Sequence, residues 1–354
     1  MNENIIHIAV DLGYGYVKAL SSDGERVIFP TIVGTGGGVE IGGFMTENKN
    51  DIKNIHIIYK GKDYFVGELA KESRSSSRVF EQDRINHEYT NILLNVAIQI
   101  LTKGKTNKVR LSTGLPLGYY SSQAKKFRES LLGMQPTIKW KSGNLSGKNI
   151  QNYIVDSVVF PQGVSAIYSA LNDNRGAYTH EHLMDSGTII ALIDIGFRTT
   201  DFVVVEIQDN GSFSIRKNLS NTIDGGVSDL HREITQYYKS QTGGADLNEF
   251  HLGRILKNGY LTYRGKRIEF DQVIHDSKSS IATNISDRLK SFWGEESDLF
   301  DHVFLAGGGG KLFYEYIKPF LHNQVSLAKD SQFANVIGYY RYGNAYFRRK
   351  QVKD

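Results

Sequence analysis

Two stretches of the chain spell the same short device. Val10-Asp11-Leu12-Gly13-Tyr14-Gly15-Tyr16-Val17-Lys18 and Ile193-Asp194-Ile195-Gly196-Phe197-Arg198-Thr199-Thr200-Asp201 each read as a buried strand, an aspartate, one residue, a glycine, a tight turn and a second strand. Each copy stands early in its own half of the chain, and a length of 354 residues also suggests two domains. Glycine in such a turn removes the steric block that keeps backbone N–H groups away from a phosphate. The aspartate at the strand end is placed to bind hydrated magnesium, a hard cation that prefers carboxylate, phosphate and water oxygens. Two such turns facing each other would grip a triphosphate from both sides.

Composition narrows the alternatives. The chain has 36 glycines among 354 residues, about 10% against an average near 7%, but only 5 prolines. That pairing fits a folded chain whose backbone must approach other groups closely, and no disordered or collagen-like one. A formal net charge of +4 is not the footprint of a protein that coats nucleic acid. With 0 cysteines, disulfide scaffolds, thiolate zinc sites and cysteine nucleophiles are excluded together. The opening Met-Asn-Glu-Asn is polar and runs straight into strand-like residues, unlike a targeting peptide. No apolar run approaches the ~20 residues of a membrane span. A cytoplasmic protein without membrane attachment is expected.

Three further elements share the glycine signature. Ala306-Gly307-Gly308-Gly309-Gly310-Lys311 reads as strand, glycine turn and helix. Asp224-Gly225-Gly226 opens a helix whose N-terminal amides could face an anion or ribose. Pro161-Gln162-Gly163 follows a strand, with Pro161 opening the next helix. Each has a bland reading alone: a hairpin, a plain helix start, a solvated first-turn glutamine, a flexible loop. The order and spacing of all five outweigh those readings. Two common phosphate motifs are absent. Lys18 stands where the dinucleotide fingerprint needs its third glycine, and Leu312 follows Gly310-Lys311 where a Walker A loop needs Ser or Thr.

Between these elements, hydrophobic periodicity predicts helices over 89–101, 121–132, 161–171, 226–238, 274–293 and 334–349. Strands are expected over 5–10, 17–20, 109–115, 154–160, 189–193, 202–208 and 302–305, with a strand-turn-strand at 55–69. Residues 34–43, with six glycines, read as a mobile loop, and 243–272 as a small mixed insertion.

In order and spacing these residues resemble the phosphate-1, connect-1, phosphate-2 and adenosine motifs of the actin, heat-shock-chaperone and sugar-kinase ATPase superfamily. Within it the chain is similar to ParM-type bacterial actins, the plasmid-partitioning filament proteins. The likeness is carried by Val10 to Lys18, Gly114-Leu115-Pro116-Leu117-Gly118-Tyr119-Tyr120, Asp194 to Asp201 and Gln332-Phe333-Ala334-Asn335-Val336-Ile337-Gly338-Tyr339-Tyr340. The resemblance implies an α/β actin-like ATPase fold: duplicated ribonuclease-H-like domains flanking a nucleotide cleft. Domain I would span 1–160, with a small subdomain near 30–85, completed by the C-terminal helix 334–354. Domain II would span 161–333, with an insertion near 243–280.

The resemblance also implies roles. Asp11 and Asp194 would hold Mg2+, Asp194 being catalytic together with Gln162, which would orient the attacking water. ParM-like proteins often carry glutamate at that position. A glutamine can position water but cannot take its proton as a real base. Gly13, Tyr14, Gly15, Tyr16 and Lys18 would bind phosphate, as would Gly196, Phe197, Arg198, Thr199 and Thr200. Asp224, Gly225, Gly226, Gly307, Gly308, Gly309 and Lys311 would hold ribose and adenine. The Phe197-Arg198 pair is bulkier than the family's usual Gly-Thr. The implied ligand is ATP, with GTP left open. The implied behaviour is head-to-tail filament assembly, hydrolysis-controlled disassembly, and an adaptor protein bound to centromere-like DNA, with no direct DNA contact. A small-molecule kinase of the same fold, or a non-polymerising nucleotide-dependent regulator, remains the alternative. A chaperone of this superfamily needs an additional domain that this length leaves no room for.

Overall fold

The computed structural model describes residues 5–36, 52–73, 76–78, 87–104, 106–173, 177–321 and 324–351. The chain forms two compact units. One comprises 1–115, 119–161 and 336–354, and the other 116–118 and 162–335.

The first unit is built around β1 (Ile6–Leu12), whose Ile8, Ala9 and Val10 are fully buried. A strand buried on both faces reads as a continuous apolar run, which is how this segment is written. β1 pairs antiparallel with β2 (Tyr16–Ser21), which pairs with β3 (Arg26–Pro30). The glycine turn between β1 and β2 closes on one bond, Gly13 N–H to the Tyr16 carbonyl at 3.1 Å. A second sheet contains β4 (Ile32–Thr35), β5 (Ile55–Tyr59), β6 (Lys62–Val66) and β7 (Ser76–Arg78). Gly34 therefore lies inside a strand, paired with Phe65, while most of the expected 34–43 loop falls outside the described residues.

α1 (Glu88–Thr102) is buried on most of its circumference. β8 (Lys108–Leu115) then pairs parallel with β1. α2 (Leu117–Leu132) starts directly after Pro116, four residues earlier than the periodicity indicates. β9 (Thr137–Trp140) and β10 (Asn149–Gln151) join the second sheet, in the order β10-β9-β5-β6-β4-β7. The small sheet thus recruits residues well beyond 30–85. Buried Gln99 of α1 fastens it: its Oε1 accepts from Trp140 Nε1 at 2.6 Å and its Nε2 donates to the Ile150 carbonyl at 3.0 Å. β11 (Tyr153–Pro161) completes the main sheet, ordered β11-β8-β1-β2-β3. Pro161 thus ends an edge strand, where a missing N–H removes no ladder bond, rather than opening a helix.

The second unit repeats this plan. It opens with α3 (Val164–Leu171). β12 (Ile189–Ile195) pairs antiparallel with β13 (Thr199–Ile207). β13 pairs with both β14 (Phe213–Ile215) and β15 (Asn221–Asp224). α4 (Val227–Thr242), α5 (Glu249–Asn258), the hairpin β16 (Tyr260–Tyr263) and β17 (Lys266–Glu269), and α6 (Asp271–Trp293) follow. β18 (His302–Ala306) returns parallel to β12, as β8 does to β1. α7 (Gly307–Ile317) and β19 (Val325–Leu327) finish the sheet, ordered β14-β13-β12-β18-β19. The glycine run is no turn before a helix; it is the helix's first turn.

α8 (Ala334–Gln351) leaves the second unit and ends in the first. There it packs on β1 and β8 through matched gaps. A Cβ on Gly114 would come 2.1 Å from the Tyr339 hydroxyl, and one on Gly343 1.9 Å from Ser112 Oγ. Lys350 and Arg128 both bind the Asp156 carboxylate. Burial works against the charged form there, but hydrogen bonds from Lys350, the Ser157 amide and Arg128 hold Asp156 below the usual carboxylate range. His7 on β1 completes the seam, within 2.8 Å of both Ser112 Oγ and Asn344 Oδ1 and stacked on Tyr340.

Burial pushes the His7 pKa from 6.5 down to about 4, so the folded chain holds it neutral. The unfolded chain takes up the proton first. The stabilisation is therefore complete above pH 6.5 and lost as pH falls towards 4, amounting to about 3 kcal/mol. His302 is held to about 4 as well, by burial and the neighbouring His180 and His182, and adds to the same window. Urea unfolding at pH 7 and pH 4.5 should show a smaller acid loss in His7→Gln than in the wild-type chain. Equal losses would contradict the neutral, buried His7.

Candidate functional site

The duplicated device folds twice in the same way. In the first unit Asp11 stands opposite Lys18 and Leu12 opposite Val17. In the second, Asp194 stands opposite Asp201 and Ile195 opposite Thr200. Gly196 N–H donates to the Thr199 carbonyl at 2.9 Å, repeating the Gly13–Tyr16 bond.

A third segment braces each turn by taking its carbonyls. In the second unit, the Gly196 carbonyl accepts from Val227 N–H (3.2 Å), that of Phe197 from Ser228 N–H (2.6 Å), and that of Arg198 from Gly225 N–H (3.0 Å). A trans peptide points its C=O and the following N–H in opposite directions. Hence the amides of Phe197, Arg198 and Thr199 all face away from the bracing segment. In the first unit Thr31 does the same work. Its hydroxyl donates to the Gly13 carbonyl at 2.7 Å and its N–H to that of Gly15 at 3.0 Å. The amides of Tyr14 and Tyr16 are thereby turned the other way. Runs of backbone N–H groups aimed in one direction are the anion-binding concavities found at phosphate sites.

Asp224-Gly225-Gly226 thus owes its position to the brace. Its amides serve the Gly196–Thr199 turn and Asp229 Oδ2, which accepts from Gly226 N–H at 3.0 Å. A Cβ on Gly226 would lie 2.6 Å from the Gly196 carbonyl, so only glycine allows the approach. Thr200 is fully buried and its hydroxyl donates to the Gly225 carbonyl at 2.9 Å. The bulky pair finds room outside the turn. The Phe197 ring meets His231 of α4 edge-on at 5.2 Å. Arg198 lines a cavity of about 740 Å³ between α4 and α6.

That cavity also takes in Asp224, Gly225, Glu233, Ser277, Ile281, Asn284, Ile285 and Arg288. Its size suits a small molecule, and Ile281 and Ile285, one helical turn apart, give it an apolar strip among polar groups. Arg288 donates to the Asp224 carbonyl at 2.9 Å, tying α6 to the bracing turn. None of Gly307–Lys311 lines this cavity. Gly307, Gly309 and Gly310 are buried instead, while Gly308 and Lys311 are exposed. Gly307 has φ +80°, and a Cβ there would sit 2.4 Å from Asp194 Oδ1. The run lets α7 start directly against the end of β12.

The two aspartates are held differently. Lys18 Nζ is 3.1 Å from Asp11 Oδ2, so the lysine expected on phosphate lies on its neighbouring carboxylate. Asp194 receives a neutral donor, Asn335 Nδ2, at 2.5 Å. Across the strand stands Asp201, 6% exposed, whose Oδ1 accepts from the Thr222 hydroxyl. Directly opposed residues share a face of an antiparallel pair, so Asp194 and Asp201 place two carboxylates where the first unit has a carboxylate and an ammonium. Gln162 sits in the turn before Gly163, half-buried. Thr31, Asp201 and Asn335 were not singled out from the sequence, although Asp201 ends the duplicated motif at the position matching Lys18.

If α7 docks as described, Gly308→Ala should raise stability by up to about 1 kcal/mol, since its Cβ would meet only Gln332 Nε2, at an ordinary contact distance of 3.9 Å, and alanine favours helix. Gly309→Ala should lower it by about 1–3 kcal/mol, its Cβ landing 2.4 Å from Ile195 Cγ2. Urea unfolding without nucleotide measures both, and similar shifts for the two variants would contradict the docking.

Comparison with known proteins agrees with this geometry. Residues 9–164 match the actin-like proteins N-terminal domain, and 192–319 the archaeal actin homologue MreB-like C-terminal domain. An archaeal actin homologue of Thermoplasma acidophilum is 25% identical over 343 residues, covering 95% of this chain and 98% of its own. Among solved structures, a ParM from a 15-stranded filament of Clostridium botulinum superposes with a TM-score of 0.84 at 31% identity, covering 97% of this chain and 99% of that one. A non-polymerisable quadruple mutant of pCBH ParM gives 0.82 at 32%, covering 97% and 100%. An archaeal actin homologue in complex with ADP shares the fold, at 0.76 and 20% identity over 97% of this chain and 100% of its own. A duplicated hairpin device, a shared sheet order and full-length likeness to ParM converge: the chain belongs to the actin-like ATPase superfamily, in its ParM-type branch.

Proposed function

We propose that this chain is an ATP-dependent filament-forming actin that drives DNA segregation, with hydrolysis controlling disassembly. The observation that carries the nucleotide part is the braced turn. In each unit, hydrogen bonds on the carbonyl side aim amides of a glycine turn in one direction, two in the first unit and three successive ones in the second, beside a buried aspartate. Each unit thereby offers one turn to phosphate oxygens, and the amides need no reorganisation to receive charge. The 740 Å³ cavity beside the second turn suits the nucleoside: Ile281 and Ile285 for a base face, Ser277, Asn284 and Glu233 for polar edges.

The donor set of the second unit fits a magnesium ion. Asp194 and Asp201 supply carboxylate oxygens on one face, with no lysine in the register position that Lys18 holds in the first unit. When bound, the cation neutralises charge on phosphate oxygens. Asp11, already ion-paired with Lys18, is the secondary candidate. Gln162 follows β11 at the start of the second unit and would hold the attacking water by hydrogen bonding.

The polymer part is supported by likeness to a protein solved as a filament and to one described as a non-polymerisable quadruple mutant. A heterologous contact that does not close yields a filament. An adaptor on centromere-like DNA completes the reading, since the chain's charge is nearly balanced. Among the described residues, no helix is long and apolar enough to cross a membrane.

Light scattering should rise when Mg-ATP is added, and Asp194→Ala should weaken metal-dependent nucleotide binding by about 10–100-fold and abolish the rise. Absence of sedimentable polymer at every protein concentration would refute the filament. Turnover that requires a sugar or acid acceptor would favour a kinase instead.

A further inference from the structure

Asn335 is the last residue of the second unit, in the first turn of α8, and 8% exposed. Its side-chain amide makes three hydrogen bonds. Oδ1 accepts from Gly163 N–H at 3.0 Å and from Ser165 Oγ at 2.9 Å, and Nδ2 donates to Asp194 Oδ2 at 2.5 Å. The orientation of the amide is fixed by chemistry. A backbone N–H can only donate and a carboxylate can only accept, so oxygen faces Gly163 and nitrogen faces Asp194.

Both partners lie in machinery already described. Gly163 has φ +78°, and a Cβ there would come 2.5 Å from Val203 Cγ2, so the turn after Gln162 is tightly specified. The Gly163 N–H belongs to the same rigid plane as the Gln162 carbonyl. Holding one holds the other, and with it the direction in which Gln162 projects. Asp194 in turn keeps one oxygen on Asn335 and the other close to Gly307. The residues nearest to asparagine in size and chemistry fail at one end or the other. Aspartate would set two carboxylates against each other, serine cannot reach both partners, and glutamine is a methylene longer in a buried space.

We infer that Asn335 is a positioning residue, which fixes the Asp194 carboxylate and the Gln162–Gly163 peptide with respect to each other. The cation-binding and water-orienting groups then move as one piece. This rests on the reading that Asp194 faces the cation and Gln162 the attacking water. The clasp also joins Gly163, the second residue of the 162–335 segment, to that segment's last residue.

The test uses the full chain and reads two properties other than turnover. One is the Mg2+ concentration for half-maximal binding of a fluorescent ATP analogue. The other is hydrogen exchange over 163–165. Asn335→Ala should raise the Mg2+ requirement and the exchange rate about tenfold, and lower kcat by a similar factor while changing KM little. Analogue affinity in EDTA should stay within about twofold of wild type. Ser165→Ala, which removes only the hydroxyl partner, should leave the Mg2+ requirement within about twofold. Should Asn335→Ala not fold, Asn335→Asp keeps the acceptor arm. It should retain slow exchange at Gly163 while its Mg2+ requirement becomes pH-dependent, because adjacent carboxylates share a proton. Asp194→Ala in the same titration separates the layers. If it abolishes the metal dependence while both Asn335 variants match wild type, the clasp is overturned. If it leaves the metal dependence intact, the Asp194 assignment falls and the inference with it.

Discussion

Everything in the site depends on hydrogen bonds made on the wrong side of it. Val227, Ser228 and Gly225 donate to the carbonyls of Gly196, Phe197 and Arg198, and Thr31 donates twice to the first turn. None of these groups needs to touch a ligand. By fixing the carbonyls they fix the amides that follow, because the peptide plane is rigid. A loop left to itself would satisfy its amides locally or with water. A braced loop holds them aligned before anything binds, which is where electrostatic stabilisation gains most.

The two units solve the problem alike in backbone and differently in charge. Asp11 has an ammonium across the strand, and Asp194 has another carboxylate and an amide. A buried carboxylate beside a lysine is already compensated. In the second unit two carboxylates share a face, and each accepts from a neutral donor, the Asn335 amide and the Thr222 hydroxyl. The duplication therefore supplies two copies of a geometry, and divergence at the position of Lys18 and Asp201 separates their chemistry. The Asn335 clasp belongs to the second unit, on the aspartate that faces another carboxylate rather than an ammonium.

Local pattern made the scaffold legible. The aspartate strands, their glycine turns, the long helices and the edge of β8 at Pro116 stand close to where periodicity puts them. What stayed hidden depends on distant partners. Nothing around Thr31 announces a brace, because its donors matter only once β3 lies beside β2. Asn335 lies far along the chain from both Asp194 and Gly163, and an asparagine near a helix start has an ordinary capping explanation. Four glycines are poor helix formers, so the run reads as a turn, yet close packing on Ile195 makes them a first helical turn. Pro161 ends an edge strand rather than opening a helix, because an edge strand tolerates a residue without N–H as well as a first helical position does. The glycine excess divides too. Part lies in the turns, and part, at Gly114 and Gly343, lets α8 settle on the sheet.

The central claim is that braced amides receive the phosphates. Residue-resolved hydrogen exchange with and without a non-hydrolysable ATP analogue and Mg2+ addresses it directly. The amides of Tyr14, Tyr16, Phe197, Arg198 and Thr199 should exchange more slowly when the analogue is bound. Saturating analogue that leaves all five unchanged, with protection confined to other segments, would contradict it.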